Sequence, residues 1–385
     1  MTEPIVRPRV WDEIWQGRSP DPLVVASVAA AERAVLGAAG ASAVAHEMAA
    51  SVLGAGPLEP VLAWTGLTDL AVNADGSVWA DTGQGMRQTD VIVGDRRACR
   101  ALAQRLAALA GKRLDEATAY VDGVLPSGLR LHAILPPLAP EGTHITLRIP
   151  AAKPLLLDDL VASGMVCPEW VGHLQAMMRR RVSFLVSGGT GAGKTTLLAA
   201  LLAASDPGDR VVVVEDVREL RVQHPHVVHL EGRPANVEGV GEVTMVALVR
   251  QSLRMRPDRI VVGEVRGAEV RELLAALNTG HDGGCGTLHA NAAGHVVARL
   301  EALGALASMS LTAVHAQARS GVQAVLHVRR RADGLRVLDS VGVVMPSEGD
   351  DGMGRPLVRP ALSLSGGVDP AAAREWARLV GEAEP

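Results

Sequence analysis

Aromatic side chains are scarce in this chain: among 385 residues there are six Trp, one Tyr and one Phe. A core must therefore be built from Val, Leu, Ala and Met, and apolar residues, at 48%, are numerous enough to build one. The same scarcity removes the surface that stacks unpaired bases, since no basic stretch is interleaved with aromatics. Lysine is scarce too. Only Lys112, Lys153 and Lys194 occur, against 35 arginines, and with abundant Ala, Gly and Val this suggests a GC-rich genome. Cysteine is confined to Cys99, Cys167 and Cys285, far apart in the chain. With no C-x-x-C pair, neither a zinc site nor a disulfide framework is indicated, and a reducing cytoplasm fits. The net charge of −4 gives no general attraction to nucleic acid. Long apolar runs are also missing. "MTEPIVRPRVWDEIW" lacks the apolar core of a signal peptide. "LVVASVAAAERAVLGAAGASAVAHEM" is broken by Glu32, Arg33, His46 and Glu47, so an amphipathic helix is expected there rather than a membrane span.

The length suggests two domains with extra tails. Residues 1–50 read as a helical extension. Residues 51–150 read as a small α/β domain. In it, "TDLAVNADGSVWADT" (Thr68–Thr82) forms two strands around Asp75-Gly76. Asp95 caps a helix with Ala98, Leu102, Leu106 and Leu109 on one face and Gly111 at its end. "GLRLHAILPP" and "THITLRIP" read as further strands, and "PAAKP" (Pro150–Pro154) as a linker. Residues 151–345 alternate strands and helices. The expected strands include "RVVVVED", "VVHLEG", "RIVVGEV" and "CGTLHA", and the first and third have the near-continuous apolar character of strands covered on both faces. "EVTMVALVRQSLRM" and "EVRELLAALNTG" read as helices, and "AVLHVRR" and "GLRVLDSVGVV" as an antiparallel pair around Asp333-Gly334. Residues 346–385 are expected to be a partly mobile tail, with a last helix in "DPAAAREWARLVGEAEP".

The most informative stretch is "SGGTGAGKTTLL" (Ser187–Leu198). Gly188, Gly189, Thr190, Gly191, Ala192, Gly193, Lys194, Thr195 and Thr196 make a G-x-x-x-x-G-K-[ST] loop. Its glycines let backbone N–H groups wrap phosphates, Lys194 supplies a charge to the β/γ-phosphates, and Thr195 offers a hydroxyl to Mg²⁺. The apolar "VSFLVSG" before it reads as a strand and "KTTLLAALLAA" after it as a helix, the geometry of an anion site at a helix N-terminus. A lysine inside the motif carries weight in a chain that uses so few.

Three later segments narrow the chemistry. "VVVVEDVREL" (Val211–Leu220) brings Glu215, Asp216 and Glu219 to the carboxyl end of a core strand, where open parallel sheets present ligand groups. Glu215 there can orient an attacking water or hold the Mg²⁺ shell, the alternative being a solvated acidic loop. "RPDRIVVGEVRG" (Arg256–Gly267) resembles a Walker B strand with its usual Asp absent, so that Glu264 meets Mg²⁺ through water or polarises the lytic water. The alternative is a surface carboxylate with Arg266 as neighbour. "NTGHDGGCGTLHAN" (Asn278–Asn291) sets His281 and His289 beside a glycine-rich turn, which suggests a loop that closes on a ligand, with His289 donating to a γ-phosphate. No clear third ligand accompanies the pair, which weakens a metal-site reading.

In this order the phosphate loop, "EDVREL", "RPDRIVVGEVRG" and "NTGHDGGCGTLHAN" resemble the Walker A, Asp box, Walker B and His box of the secretion ATPases of type II and type IV systems. "GAGPLEPVLA" (Gly54–Ala63) and "YVDGVLPSGLRLHAILPPLA" (Tyr120–Ala139) are similar to the same family and point to its Tad-type pilus branch. The missing tetracysteine zinc module favours the Tad or type IV branch. In place of a usual Arg the chain has Val124, and it departs again at Cys285-Gly286. The resemblance implies an α/β architecture: a RecA-like P-loop ATPase domain with a mainly parallel sheet, preceded by a small PAS-like domain. It implies ATP and Mg²⁺ as cofactors, with Thr195, Glu215 and Glu264 toward the metal. Lys194, Glu215, Glu264 and His289 are then catalytic, joined by Arg130 and Arg148 reaching nucleotide from the N-terminal domain. It also implies a cytoplasmic hexamer at the inner face of the membrane, working on a platform protein, with no direct nucleic-acid contact expected. A DNA-translocating conjugation motor and a nucleotide-dependent scaffold with negligible turnover are the rival readings.

Overall fold

A computed structural model of the chain describes residues 54–83, 85–149, 154–233, 235, 240–347 and 354–381. The helical extension expected over residues 1–50 and most of the expected linker lie outside these residues, as do residues 348–353 and 382–385 of the expected tail. The chain divides into two compact units, Met1–Ala151 and Ala152–Pro385.

The first unit opens with a short helix, α1 (Glu59–Leu62), and then β1 (Asp69–Val72), β2 (Ser77–Asp81) and β3 (Met86–Ile92). The hairpin around Asp75-Gly76 forms as expected, with Asp69 paired to Asp81 and Val72 to Val78. α2 (Arg96–Leu109) starts where Asp95 accepts the Ala98 N–H at 2.9 Å. Gly111 and Lys112 close it through the Ala108 and Ala107 carbonyls. β4 (Tyr120–Val124), β5 (Arg130–Ile134) and β6 (His144–Arg148) complete an antiparallel sheet of order β3-β2-β1-β6-β5-β4. First and last strands meet at its centre, in keeping with a PAS-like arrangement. Alternation sorts the faces. Leu70, Val72, Leu131, Ala133, Ile145 and Leu147 are buried together with Cys99, Leu102, Ala103 and Leu106 of α2. Arg130, His132, Thr146 and Arg148 take the opposite positions. β3 and β4 were not legible as strands. The exposed Arg87, Gln88 and Asp90 leave β3 without an apolar face, and Gly123 sits inside β4.

The second unit is a doubly covered sheet of order β14-β13-β12-β7-β11-β10-β8-β9. After α3 (Leu157–Ala162) and α4 (Val171–Arg179) come β7 (Phe184–Gly188) and α5 (Lys194–Ala203). β8 (Val211–Glu215), β9 (Val227–Glu231), α6 (Met245–Ser252), β10 (Arg259–Val262), α7 (Val270–Leu277) and β11 (Cys285–His289) follow. β7 to β11 run parallel, as the continuous Val and Ile runs require, and β12 (Ala324–Arg330) joins them parallel to β7. Between β11 and β12 lie α8 (Val296–Leu306) and α9 (Leu311–Gly321). Successive strand residues feed two cores. Phe184 and Val186 pack with α3, α4 and α5, whereas Leu185, Val214, Val262 and Leu288 pack with α6 to α9. Arg259, 1% exposed at the start of β10, is satisfied by Asp209 at 2.7 Å and by the Met178 carbonyl at 2.6 Å.

The region beyond residue 345 differs from the tail expected there. β13 (Arg336–Met345) pairs antiparallel with β12 and also with β14 (Leu357–Ser363), a strand not anticipated from the sequence. α10 (Pro370–Val380), capped by Asp369, brings Trp376 into the core of α4 and β13. The apolar residues of β14 alternate imperfectly, with Pro360 inside it, and an edge strand tolerates that.

Candidate nucleotide site

β7, β8, β10 and β11 end on the same side of the parallel sheet, and Lys194, Glu215, Glu264 and His289 lie at or beyond those ends. β7 runs out at Gly188, where a Cβ would lie 2.3 Å from the Val328 carbonyl oxygen; only glycine lets the strand leave the sheet this close to β12. The loop Gly188–Gly193 then turns into α5, whose first residue is Lys194. α5 is apolar on all sides and buried, so the loop is tied to the interior of the unit.

Lys194 is 7% exposed. Its ammonium donates to the carbonyls of Gly188 at 3.1 Å and Gly189 at 2.9 Å, folding over the loop it belongs to. Burial lowers its pKa, opposed by the Glu264 carboxylate. His289, at the end of β11, is paired with Gly188 in the parallel register, and both ring nitrogens lie 3.4 Å from Lys194 Nζ. Burial lowers the His289 pKa, and the neighbouring ammonium adds to that against the pull of Glu264. Glu264 completes the group: Oε1 is 2.7 Å from His289 Nε2, and Oε2 accepts from Arg266 at 2.6 Å. Each carboxylate oxygen thus has a charged or polar neighbour, His289 on Oε1 and Arg266 on Oε2. Burial works to raise the Glu264 pKa, yet Arg266, His289 and Lys194 together hold it below the usual value.

Glu215 is turned elsewhere. At 5% exposure, its Oε1 accepts the N–H groups of Glu219 at 3.1 Å and Leu220 at 2.9 Å, and Oε2 is 3.9 Å from His229. The carboxylate thus ties down the loop that follows β8. Gly263 permits the fit, since a Cβ there would lie 2.5 Å from Glu215 Cγ. His281 does not join His289. It precedes β11 whereas His289 ends it, so the strand's five residues, at ~3.3 Å each, separate them. The reading of one ligand-closing loop with two histidines is therefore corrected to His289 alone.

Arg130 and Arg148 face each other across β5 and β6 in the first unit. Arg148 Nε is 3.3 Å from Asp69, its partner on β1. The two arginines and Asp69 form a row across three strands.

Sequence reasoning missed three features beside the loop. Arg336, on β13, donates from Nε to the Gly191 carbonyl at 3.0 Å. Ser187 and His327 share a 2.9 Å hydrogen bond where β7 meets β12, and burial pushes the His327 pKa down. Glu269, 6% exposed, accepts the Arg266 and Gly267 N–H groups at 2.6 and 2.7 Å and so shapes the turn after Glu264. Arg336 and His327 lie far along the chain from the loop, and no local pattern marks them. Arg266 and Glu269 stand close to Glu264 but read as surface charges.

A family model described as "Type II/IV secretion system protein" matches residues 52–331. A Mycobacterium tuberculosis protein with a provisional conjugal-transfer name is 53% identical over 302 residues, covering 77% of this chain and 86% of that protein. The type IV secretion system protein PtlH homolog of Bordetella bronchiseptica is 30% identical over 271 residues, covering 63% and 78%. Among solved structures, the pilus retraction motor PilT with bound ADP superposes with a TM-score of 0.54 at 22% identity, covering 74% of this chain and 80% of that one. That likeness concerns the fold.

Proposed function

The chain belongs to the type II/IV secretion system protein family, and from that premise we propose that it is an ATP hydrolase acting as a motor of secretion, conjugal transfer or pilus assembly. The observation that carries the catalytic part is the convergence of Lys194, Glu264 and His289 beside the phosphate loop.

The loop amides and Lys194 hold the β- and γ-phosphates, as the sequence of the loop suits. Lys194 exchanges its bonds to the Gly188 and Gly189 carbonyls for phosphate oxygens. The oxygen donors Thr195 and Glu264 are of the kind Mg²⁺ accepts. No cluster of three His, Cys, Asp or Glu that could hold a metal occurs among the described residues. That suits an ion that takes few protein ligands and otherwise phosphate oxygens and water. Bound Mg²⁺ would neutralise charge on the phosphate oxygens. We assign the water-directed role to Glu264 rather than Glu215, because Glu215 Oε1 is already committed to two backbone amides. A Glu264 held ionised serves as an acceptor for a bound water. His289, neutral at physiological pH, has one N–H to exchange between Glu264 Oε1, 2.7 Å from its Nε2, and the γ-phosphate. Arg130 and Arg148 are proposed as the cations that meet the transferring phosphoryl group.

The order of parts proposed for the working motor is a hexamer of this chain, a platform protein at the inner face of the cytoplasmic membrane, and a translocated substrate. The resemblance carries the Tad-type pilus branch, while the relatives are named for conjugal transfer and type IV secretion. Those names also favour a second reading, a motor that moves DNA in conjugation. The net charge of −4 argues against direct contact with the polyanion. Phosphate release from MgATP, measured with and without DNA for the wild type and Lys194→Ala, tests both readings. Release that depends on Lys194 and ignores DNA is expected. DNA stimulation moves the assignment to the second reading, and no release by the wild type overturns the hydrolase.

A further inference from the structure

Arg266 follows Glu264 by two residues and folds back onto it, with NH2 2.6 Å from Oε2. Its backbone is held separately. One oxygen of the buried Glu269 takes the N–H groups of both Arg266 and Gly267, at 2.6 and 2.7 Å. The peptide is thus pinned from the interior while the guanidinium, 62% exposed, reaches back across the edge of the sheet. Glu264 in turn has a neighbour on each oxygen: Arg266 donates to Oε2, and the buried Oε1 lies 2.7 Å from His289 Nε2. A charge-assisted hydrogen bond to one carboxylate oxygen restrains rotation about the last torsion, and with it the direction of the other oxygen.

We propose that Arg266 is a positioning residue for ATP hydrolysis: by holding Glu264 Oε2 it presents Oε1 to the water that attacks or that the metal carries. The proposal deepens the hydrolase reading and rests on it. Arg266 acts through Glu264.

The surrounding charges sharpen the consequence. Facing Glu264 are Arg266 from its own turn, Lys194 from α5 and His289 from β11. Facing Arg266 are Glu264, Asp216 after β8, and Glu269 before α7. Burial and the Glu269 charge raise the pKa of Asp216. Burial also works on Glu264, and Arg266 is foremost among the groups that counter it. Without Arg266 the free rotation of the Glu264 carboxylate returns.

The test uses the full chain as wild type, Arg266→Ala, Arg266→Lys, Glu264→Gln and the Glu264→Gln/Arg266→Ala double variant, with kcat and KM for MgATP measured for each. Arg266→Ala is expected to lower kcat by ~10–100-fold, the usual cost of removing a group that orients a ligand or catalytic side chain. KM should stay nearly constant. Arg266→Lys, which keeps the charge without the planar guanidinium, should restore only part of kcat. In the Glu264→Gln background Arg266→Ala should cost little more, because its effect passes through Glu264. Unchanged kcat in Arg266→Ala overturns the proposal, and so does a rise in KM alone, which would place Arg266 on the substrate. If the wild type releases no more phosphate than Lys194→Ala, the hydrolase reading itself has failed and the proposal falls with it.

Discussion

His289 and Lys194 stand with ring and ammonium 3.4 Å apart, one at the end of β11 and the other at the first residue of α5. Two groups that both charge by gaining a proton disfavour each other's charged form, and burial depresses both. His289 is therefore neutral at physiological pH. The unfolded chain binds a proton at the ordinary value, 6.5, and the folded chain binds it only at lower pH. The stability that His289 contributes is present above the unfolded value and is lost as pH falls from there toward the folded value. Turnover should fall in the same direction, because the protonated ring places a second cation against Lys194. His289→Asn should lower kcat and remove the His289 component of the pH dependence of stability. An unaltered stability profile in that variant contradicts the assignment.

Lys194→Ala should abolish turnover and also weaken the fold slightly. The structure buries Lys194 and gives it two carbonyl partners. Losing hydrogen bonds from a charged donor to these carbonyls is worth ~1–3 kcal/mol. Urea unfolding should show a loss of that order, and nucleotide binding should fall at the same time. Wild-type turnover in this variant contradicts the phosphate-loop assignment.

Trp376→Ala tests the C-terminal helix. Trp376 is 1% exposed and lies with its ring centroid 6.5 Å from that of His173 on α4. Emptying such a site costs ~3–5 kcal/mol. A loss below ~1 kcal/mol by urea unfolding would mean that α10 is an appendage rather than part of the core.

Arg130→Ala and Arg148→Ala should each reduce kcat by at least ~10²-fold if the arginines meet the transferring phosphoryl group, for which ~10³–10⁵ is on record in other enzymes. Arg148→Lys should recover little, because a lysine lacks the bidentate fork. The Arg148 pair with Asp69 is half exposed, so it contributes little to the fold, and melting should barely change. Equal turnover in wild type and both alanine variants would leave the arginines as polar strand residues.

Much of this was legible because it is local. The run Gly188–Thr195 names its own chemistry, and the apolar cores of β7, β8 and β10, Phe184–Val186, Val211–Val214 and Ile260–Val262, announce buried parallel strands. Asp95 and Asp75-Gly76 marked a cap and a turn by short-range bonding alone. What stayed hidden depends on distant partners. β14 is a strand because β13 offers it an edge. Arg336 reaches Gly191 across 145 residues. Glu215 was placed at the correct strand end, but the direction of its carboxylate depends on the path of the next five residues, which no motif specifies. His281 was grouped with His289 by nearness in the chain, although an intervening strand carries them to opposite edges of the sheet.

The most direct measurement is ATP binding and phosphate release by Glu264→Gln beside the wild type. The substitution keeps the size and removes the charge that Arg266, His289 and Lys194 surround. ATP affinity within a few-fold of wild type, with turnover slower by at least ~10²-fold, is the predicted result. Turnover within a few-fold of wild type would contradict the account and return the water-directed role to Glu215.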